Sequence, residues 1–371
     1  MTDIKYVDLG NHWKYEREAI LDIVDKVMRG GIFVGGEFVE QFEKKLAEYV
    51  GVDHCIALNS GTDALVCALI SSNIGAGDEV ITPPNSFIAS TSSITHIAAR
   101  PVFADVLADQ SIDPQKIEEV ITDRTKAIMP VHLTGRMCEM DRIRSIAYKH
   151  NLVVIEDAAQ SIGSKFKGMS SGAAGDIGCF STHPLKNLNA CGDGGFVTTN
   201  DAAITKKIKS MRNHGLVDRD TVEQFGYVSR MDALQAAILS YRLDHLDKVI
   251  ATRRSNAFLY RSILNQEFVY MPPEDSNYFN TYHTFVIQVD DREKLISFLN
   301  ENGIQTAIHY PVPIHLQPAA AKLGYKVGDF QMTETQAKRI LTLPINQFLD
   351  HQQIERIALK VNEFFEQKSY A

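Results

Sequence analysis

At 371 residues the chain is long enough to bury one large core and a smaller second one. Hydrophobic residues make up 44% and charged residues 23%, the proportions of a water-soluble globular enzyme rather than a disordered or fibrous chain. The formal net charge of −8 argues against a nucleic-acid or anionic-membrane surface, since both require clustered Lys and Arg.

In chain order, His12 to Arg29 carries apolar pairs at helical spacing (Ala19-Ile20, Ile23-Val24, Val27-Met28) and stops at Gly30-Gly31. Phe33-Val34-Gly35-Gly36 reads as a turn, and Glu37 to Tyr49 as an amphipathic helix with Phe38, Phe42, Leu46 and Tyr49 inward. A short strand, His54–Leu58, then runs through Asn59-Ser60-Gly61-Thr62-Asp63 into a helix over Ala64–Ser71. That passage has the physics of a phosphate cup. Glycine allows close backbone approach, the Thr62 hydroxyl donates, and a helix N-terminus offers unpaired N–H groups. Alone, it reads first as an ordinary N-cap.

Further strands follow at Glu79–Thr82, Pro101–Asp105 and Lys126–His132, each set off by a stretch of helical length. This alternation predicts an α/β fold with a mainly parallel, doubly wound sheet. Phe87 follows the end of the Glu79–Thr82 strand, at Pro83-Pro84-Asn85-Ser86-Phe87, and on its own reads as core. A helix over Met140–His150 leads to the continuous apolar run Leu152–Ile155, typical of a buried parallel strand. The run ends on Glu156-Asp157-Ala158-Ala159-Gln160, and the next strand-like segment, Gly178–Ser181, leads to Thr182-His183-Pro184-Leu185-Lys186-Asn187.

Ligands of open α/β sheets sit at the carboxyl ends of strands. Two such ends here present an acid with an amide (Asp157, Gln160) and a hydroxyl with a lysine (Ser181, Lys186). A buried carboxylate needs a cationic partner, and a protonated pyridine nitrogen is one; a lysine can attach covalently to an aldehyde on the same ring. Taken singly, Asp157 is a helix cap and Lys186 a solvated loop lysine. Together, with the Gly192-Asp193-Gly194-Gly195 turn behind them, they favour a cofactor site.

Beyond the turn come a strand at Phe196–Thr199, a helix over Asp201–Arg212, a charged loop over Val217–Gln224 and a long helix over Met231–His245. A basic helix near Arg253-Arg254 marks the change of domain, and we divide the chain into 1–250 and 251–371. The second part carries strands at Thr284–Val289 and Ile304–His309 and helices at Arg292–Asn302, Thr333–Leu341 and Gln352–Gln367, in keeping with a compact α+β domain. The five cysteines form no C-x-x-C pair and sit mostly in apolar contexts. With an N-terminus lacking a signal-like apolar segment and no membrane-length apolar run, they point to the cytoplasm. The twelve histidines are scattered without metal-ligand spacing, so no metal is expected.

Four segments together resemble the DegT/DnrJ/EryC1/StrS aminotransferases: Ser60–Leu65, Glu156–Gln160, Phe180–Asn187, and Ser229-Arg230-Met231 with Leu234–Ala237. The similarity runs from about Phe33 to the final helix. It implies a fold-type-I pyridoxal 5′-phosphate (PLP) transferase with a seven-stranded, mainly parallel sheet and a smaller C-terminal domain. It further implies an aminotransferase moving an amino group from glutamate or glutamine to a keto sugar, nucleotide-linked. In that setting Lys186 holds PLP and carries the proton, and Asp157 pairs with the pyridinium nitrogen. Gln160 orients the ring, Phe87 stacks on it, and Gly61, Thr62 and Ser181 hold the phosphate. His183, Arg230, Tyr310 and His315 are candidates for substrate contact. Free lysine has a pKa of about 10.4, so the site must favour the neutral amine.

The resemblance also implies a homodimer in which a loop of one subunit reaches the other's site. Many relatives carry an asparagine in that loop; Val228 stands at the position here and offers no side-chain donor. Three other readings compete. One is a sugar dehydratase of the same family, which has histidine in place of the lysine, and Lys186 speaks against it. Another is a PLP-holding regulatory protein without activity. The third is a non-enzymatic binding module, which would show no PLP absorbance band.

Overall fold

A computed structural model describes residues 3–369. Helix α1 (Leu9–Gly30) starts where Asp8 Oδ1 accepts the N–H of Asn11 at 3.0 Å, and it ends on Gly31 in the left-handed region. Helix α2 (Glu37–Val50) buries Phe42 and Leu46 completely, as their four-residue spacing predicts. Strand β1 (His54–Leu58) then leads into α3 (Gly61–Ser71), β2 (Glu79–Thr82) into α4 (Ile88–His96), and β3 (Arg100–Phe103) into the short α5 (Pro114–Glu119). After β4 (Thr125–Ile128), α6 (Met140–His150) feeds β5 (Val153–Asp157).

The Gly- and Ser-rich passage that follows contains a hairpin, β6 (Lys165–Phe166) and β7 (Met169–Ser170), which composition alone conceals. Strands β8 (Ile177–Ser181) and β9 (Gly195–Thr199) complete the sheet, whose order is β1-β9-β8-β5-β4-β2-β3. Only β9 runs antiparallel to its neighbours, so the expected seven-stranded, mainly parallel sheet is present.

Register at the centre of this sheet bears directly on the site. Phe180 and Phe196 lie opposite each other on β8 and β9 and stack at 4.5 Å, a pairing worth about 0.5–1.5 kcal/mol beyond their burial. That register sets Ser181 opposite Gly195. A Cβ on Gly195 would fall 2.4 Å from the Ser60 carbonyl carbon, so glycine lets the end of β9 press against the start of α3.

Helices α7 (Ala202–Met211), α8 (Ala233–Leu243) and α9 (Leu246–Ile263) follow. Helix α9 runs through the expected boundary at 250: its Ile250 packs into the large core, its Ala257 and Tyr260 into the small one. Strand β10 (Tyr278–Phe279) pairs back onto β6, and β11 (Phe285–Gln288) pairs with β12 (Ile340–Leu343). Helices α10 (Arg292–Glu301), α11 (Gln331–Arg339) and α12 (His351–Ser369) cover the small sheet.

Two local expectations change here. The stretch 304–309 forms only single bridges, at Ile304 and Ala307, and Ile340–Leu341 belongs to a strand rather than to the preceding helix. Ile4 bridges Ile304 and sits in the small core at 1% exposure, so the N-terminal segment, assigned with 1–250, packs with the C-terminal part.

Candidate active site

At the carboxyl ends of the parallel strands lies a cavity of about 390 Å³, within the roughly 300–1,000 Å³ usual for cofactor sites. Its walls come from the large sheet, from the N-terminal segment at Tyr6–Leu9 and from the small domain at His309, Tyr310 and Ile345–Phe348. It gathers Gly61, Thr62, Phe87, Asp157, Gln160, Ser181, His183, Lys186 and Tyr310. All but Tyr310 follow strands or helix starts of the large sheet, which end on one edge, and Tyr310 reaches the cavity from the small domain.

The start of α3 forms one end of the cavity. Ser60 caps the helix, its Oγ accepting the N–H of Asp63 at 3.1 Å and its carbonyl that of Ala64. Gly61 and Thr62 are the first residues of the helix, where N–H groups have no partner within it. A Cβ on Gly61 would lie 2.6 Å from Ser181 Cβ, so only glycine lets the helix start and the end of β8 close into one cradle. Such a cradle suits an anion.

Across the cavity stands Asp157, 5% exposed at the end of β5. Its Oδ2 accepts from Ser90 Oγ at 2.6 Å and its Oδ1 from the N–H of Ala159 at 3.2 Å. Burial raises its pKa, while the Ser90 and Ala159 donors and the nearby Lys186 pull the other way. Its neighbour Glu156 faces the opposite side of the strand and has a different task. It accepts from the N–H groups of Gly172, Ala174 and Gly175 and pairs with His132 Nε2 at 2.8 Å. Because His132 Nδ1 accepts the N–H of Cys138, Nε2 carries the hydrogen and donates to Glu156.

Gln160 accepts the N–H of Thr134 at 2.8 Å and donates to Tyr310 Oη at 3.4 Å, linking the two domains across the cavity. Burial pushes the Tyr310 phenol up to about 12, helped by Asp157, so it stays a neutral hydroxyl. Phe87 is 53% exposed, with its ring 5.7 Å from that of Tyr310. An exposed phenylalanine in a cavity wall is a surface for a flat ring.

Lys186 is half-buried in the same cavity. Burial pushes its ammonium down, to about 8, against the opposing pull of Asp157. A lysine so placed gives up its proton more readily than a free lysine, whose pKa is about 10.4. Burial also drives His283 well below the usual histidine range and His309 down to about 4, in both cases with Lys186 adding to it. Both are neutral imidazoles in the wall. Arg253 spans from α9 to the carbonyls of Tyr282 and His283.

Two expected residues are elsewhere. His315 is 2% exposed, its Nε2 3.1 Å from Glu334 and its ring against Phe330; the short turn Ile314–Leu316 faces it into an aromatic cluster, away from the cavity. Arg230 donates to Asn213 Oδ1 at 3.0 Å and does not line the cavity of its own chain. Val228 is 48% exposed on the same outer loop. Sequence reasoning missed Ser90, His283, His309, Arg253 and Tyr6. None lies in a motif, and only tertiary contact could reveal them.

The residues fit PLP. The Gly61–Ser181 approach leaves a cradle suited to an anion, the buried Asp157 suits a cationic partner, and burial depresses the Lys186 ammonium in the same space. Comparison with known proteins agrees with this geometry. The chain is 39% identical over 367 residues to the pleiotropic regulatory protein of Geobacillus stearothermophilus, covering 98% of this chain and 99% of that one. It is 39% identical to dTDP-3-amino-3,6-dideoxy-alpha-D-galactopyranose transaminase of Aneurinibacillus thermoaerophilus, covering 97% and 99%. The crystal structure of S. venezuelae DesV in complex with a ketimine intermediate superimposes with a TM-score of 0.96 at 36% identity, over 98% of this chain and 99% of that one. Other solved relatives hold the cofactor as PLP or as its amino form, PMP. Residues 14–362 match the DegT/DnrJ/EryC1/StrS aminotransferase family, and the chain belongs to it.

Proposed function

We propose that this protein is a PLP-dependent aminotransferase that takes an amino group from glutamate or glutamine and places it on a nucleotide-linked keto sugar. The observation that carries the reading is one cavity holding a half-buried lysine with a depressed pKa, a buried carboxylate and a glycine-shaped anion cradle. Bound PLP supplies an electron sink for breaking the bond to hydrogen at the donor's α-carbon. The chain's own residues do the rest. Gly61, Thr62 and Ser181 would hold the phosphate, and Asp157 would keep the ring nitrogen protonated. Gln160 and Phe87 would orient the ring. Lys186 is the catalytic residue, and its Nζ accepts the donor's proton and returns it on the other side of the exchange. His183 and Tyr310 face the same space and are substrate-contact candidates.

Lys186 supports transamination over the dehydratase chemistry of histidine-bearing relatives. The regulatory protein at 39% identity keeps a PLP-holding regulator in view as the second reading. Catalysis is favoured because the lysine, carboxylate and cradle are all present. We further propose a homodimer with composite sites. Ile32, Phe33, Val34 and Phe225 are all more than 45% exposed, apolar surface of the kind a partner covers. In such a dimer Arg230 and Val228 would serve the partner's cavity rather than their own.

The test is spectral and chemical. The protein with PLP should absorb in the visible and lose that band with L-glutamate. Borohydride reduction should leave the pyridoxyl group on Lys186. Label on another lysine, or a band indifferent to every amino donor and to a panel of nucleotide keto sugars, would defeat the reading.

A further inference from the structure

The carboxylate of Asp157 is nearly out of water, yet it must stay ionised and aimed if anything cationic is to meet it. Its side-chain donor is Ser90, itself 1% exposed, at 2.6 Å. That distance falls in the roughly 2.5–2.7 Å range of charge-assisted O–H···O⁻ bonds. The hydroxyl has one hydrogen and two acceptors in reach, Asp157 Oδ2 at 2.6 Å and the Phe87 carbonyl at 3.3 Å. The shorter, charged acceptor takes it.

The other donor to the carboxylate, the Ala159 N–H, meets Oδ1 and leaves Oδ2 to Ser90. His132 is turned to Glu156, whose own oxygens serve four donors on the far face of the strand. Ser90 also lies in the first turn of α4, three residues after Phe87. One hydroxyl therefore ties the carboxylate to the helix that carries the exposed aromatic wall.

We propose that Ser90 is a positioning residue of the reaction, holding Asp157 ionised and aimed into the cavity so that cofactor affinity depends on it. The proposal rests on the reading of this cavity as a PLP site. A double-mutant cycle on PMP binding tests it, since PMP forms no covalent bond to Lys186 and its dissociation constant needs no turnover. The four forms are wild type, Ser90→Ala, Asp157→Ala and the pair, titrated as apo-proteins by fluorescence. Ser90→Ala should weaken PMP about 10- to 100-fold when Asp157 is present, as expected for losing a hydrogen bond to a charged group. With Asp157 already removed, it should change affinity less than about twofold. An equal loss in both backgrounds would make Ser90 a packing residue and overturn the proposal. So would an unchanged affinity in Ser90→Ala beside a weakened Asp157→Ala. If Asp157→Ala alone left PMP binding intact, the site reading itself would fall, and Ser90 with it.

Discussion

Glu156 and Asp157 are adjacent carboxylates on one strand, and their substitution should separate stability from cofactor binding. Glu156 is fully buried and accepts from four donors: the N–H groups of Gly172, Ala174 and Gly175, and His132 Nε2. Glu156→Gln replaces one acceptor oxygen with an NH₂. If the amide occupies the Oε1 side it faces Ala174 and Gly175, and on the Oε2 side it faces Gly172 and His132. His132 cannot turn acceptor there, because its Nδ1 already accepts from Cys138. Either way two donors lose their partner. At about 1.5–3 kcal/mol for each hydrogen bond to a charged group, the cost is roughly 3–6 kcal/mol. At roughly 1.3 °C per kcal/mol for a chain of this length, Tm should fall by about 4–8 °C. Thermal melts of apo and PLP-loaded protein should show the same fall, since Glu156 points away from the cavity. A fall below about 2 °C, or one confined to the loaded form, would refute the reasoning.

Other outcomes follow from the same geometry. The folded-state pKa of Lys186, about 8, lies below its ordinary 10.5, so between these values the unfolded chain binds the proton that the folded chain gives up. The apo-protein should therefore gain stability as pH rises through that window. Lys186→Met should melt higher than wild type at pH 7, with the gap closing towards pH 10; parallel Tm–pH curves would contradict this. Val228→Asn supplies a side-chain donor on the outer loop and should tighten PLP binding, provided the protein is a dimer by light scattering. A fully active monomer would end the composite-site idea, and an unchanged PLP affinity would remove Val228 from the phosphate site.

Much of the architecture was legible in the residues alone. Apolar runs of strand length separated by helical stretches specified a parallel sheet, because a strand buried on both faces has no room for polar alternation. Strand ends carrying Asp157, Ser181 and Ser60–Thr62 marked the cavity, since chain direction in such a sheet puts those ends on one edge. Lys186 and Asp157 were readable as a pair because their chemistry is complementary.

What local pattern could not supply is which distant residues meet. Ser90 reaches Asp157 across 67 positions and Tyr310 reaches Gln160 across 150, through the packing of α4 on the sheet and of one domain on the other. The N-terminal Ile4 joins the C-terminal core by pairing with Ile304, a contact no periodicity announces. His315 shows the converse. Its Pro-rich, aromatic surroundings resemble a binding loop, but the ring is buried against Phe330 and Glu334 because the turn that carries it packs on β3. Sequence alone determined the strands, the cradle glycine and the acid–lysine pair, whose signals are local. Tertiary structure alone decided what faces the cavity, because that depends on how separately formed elements pack.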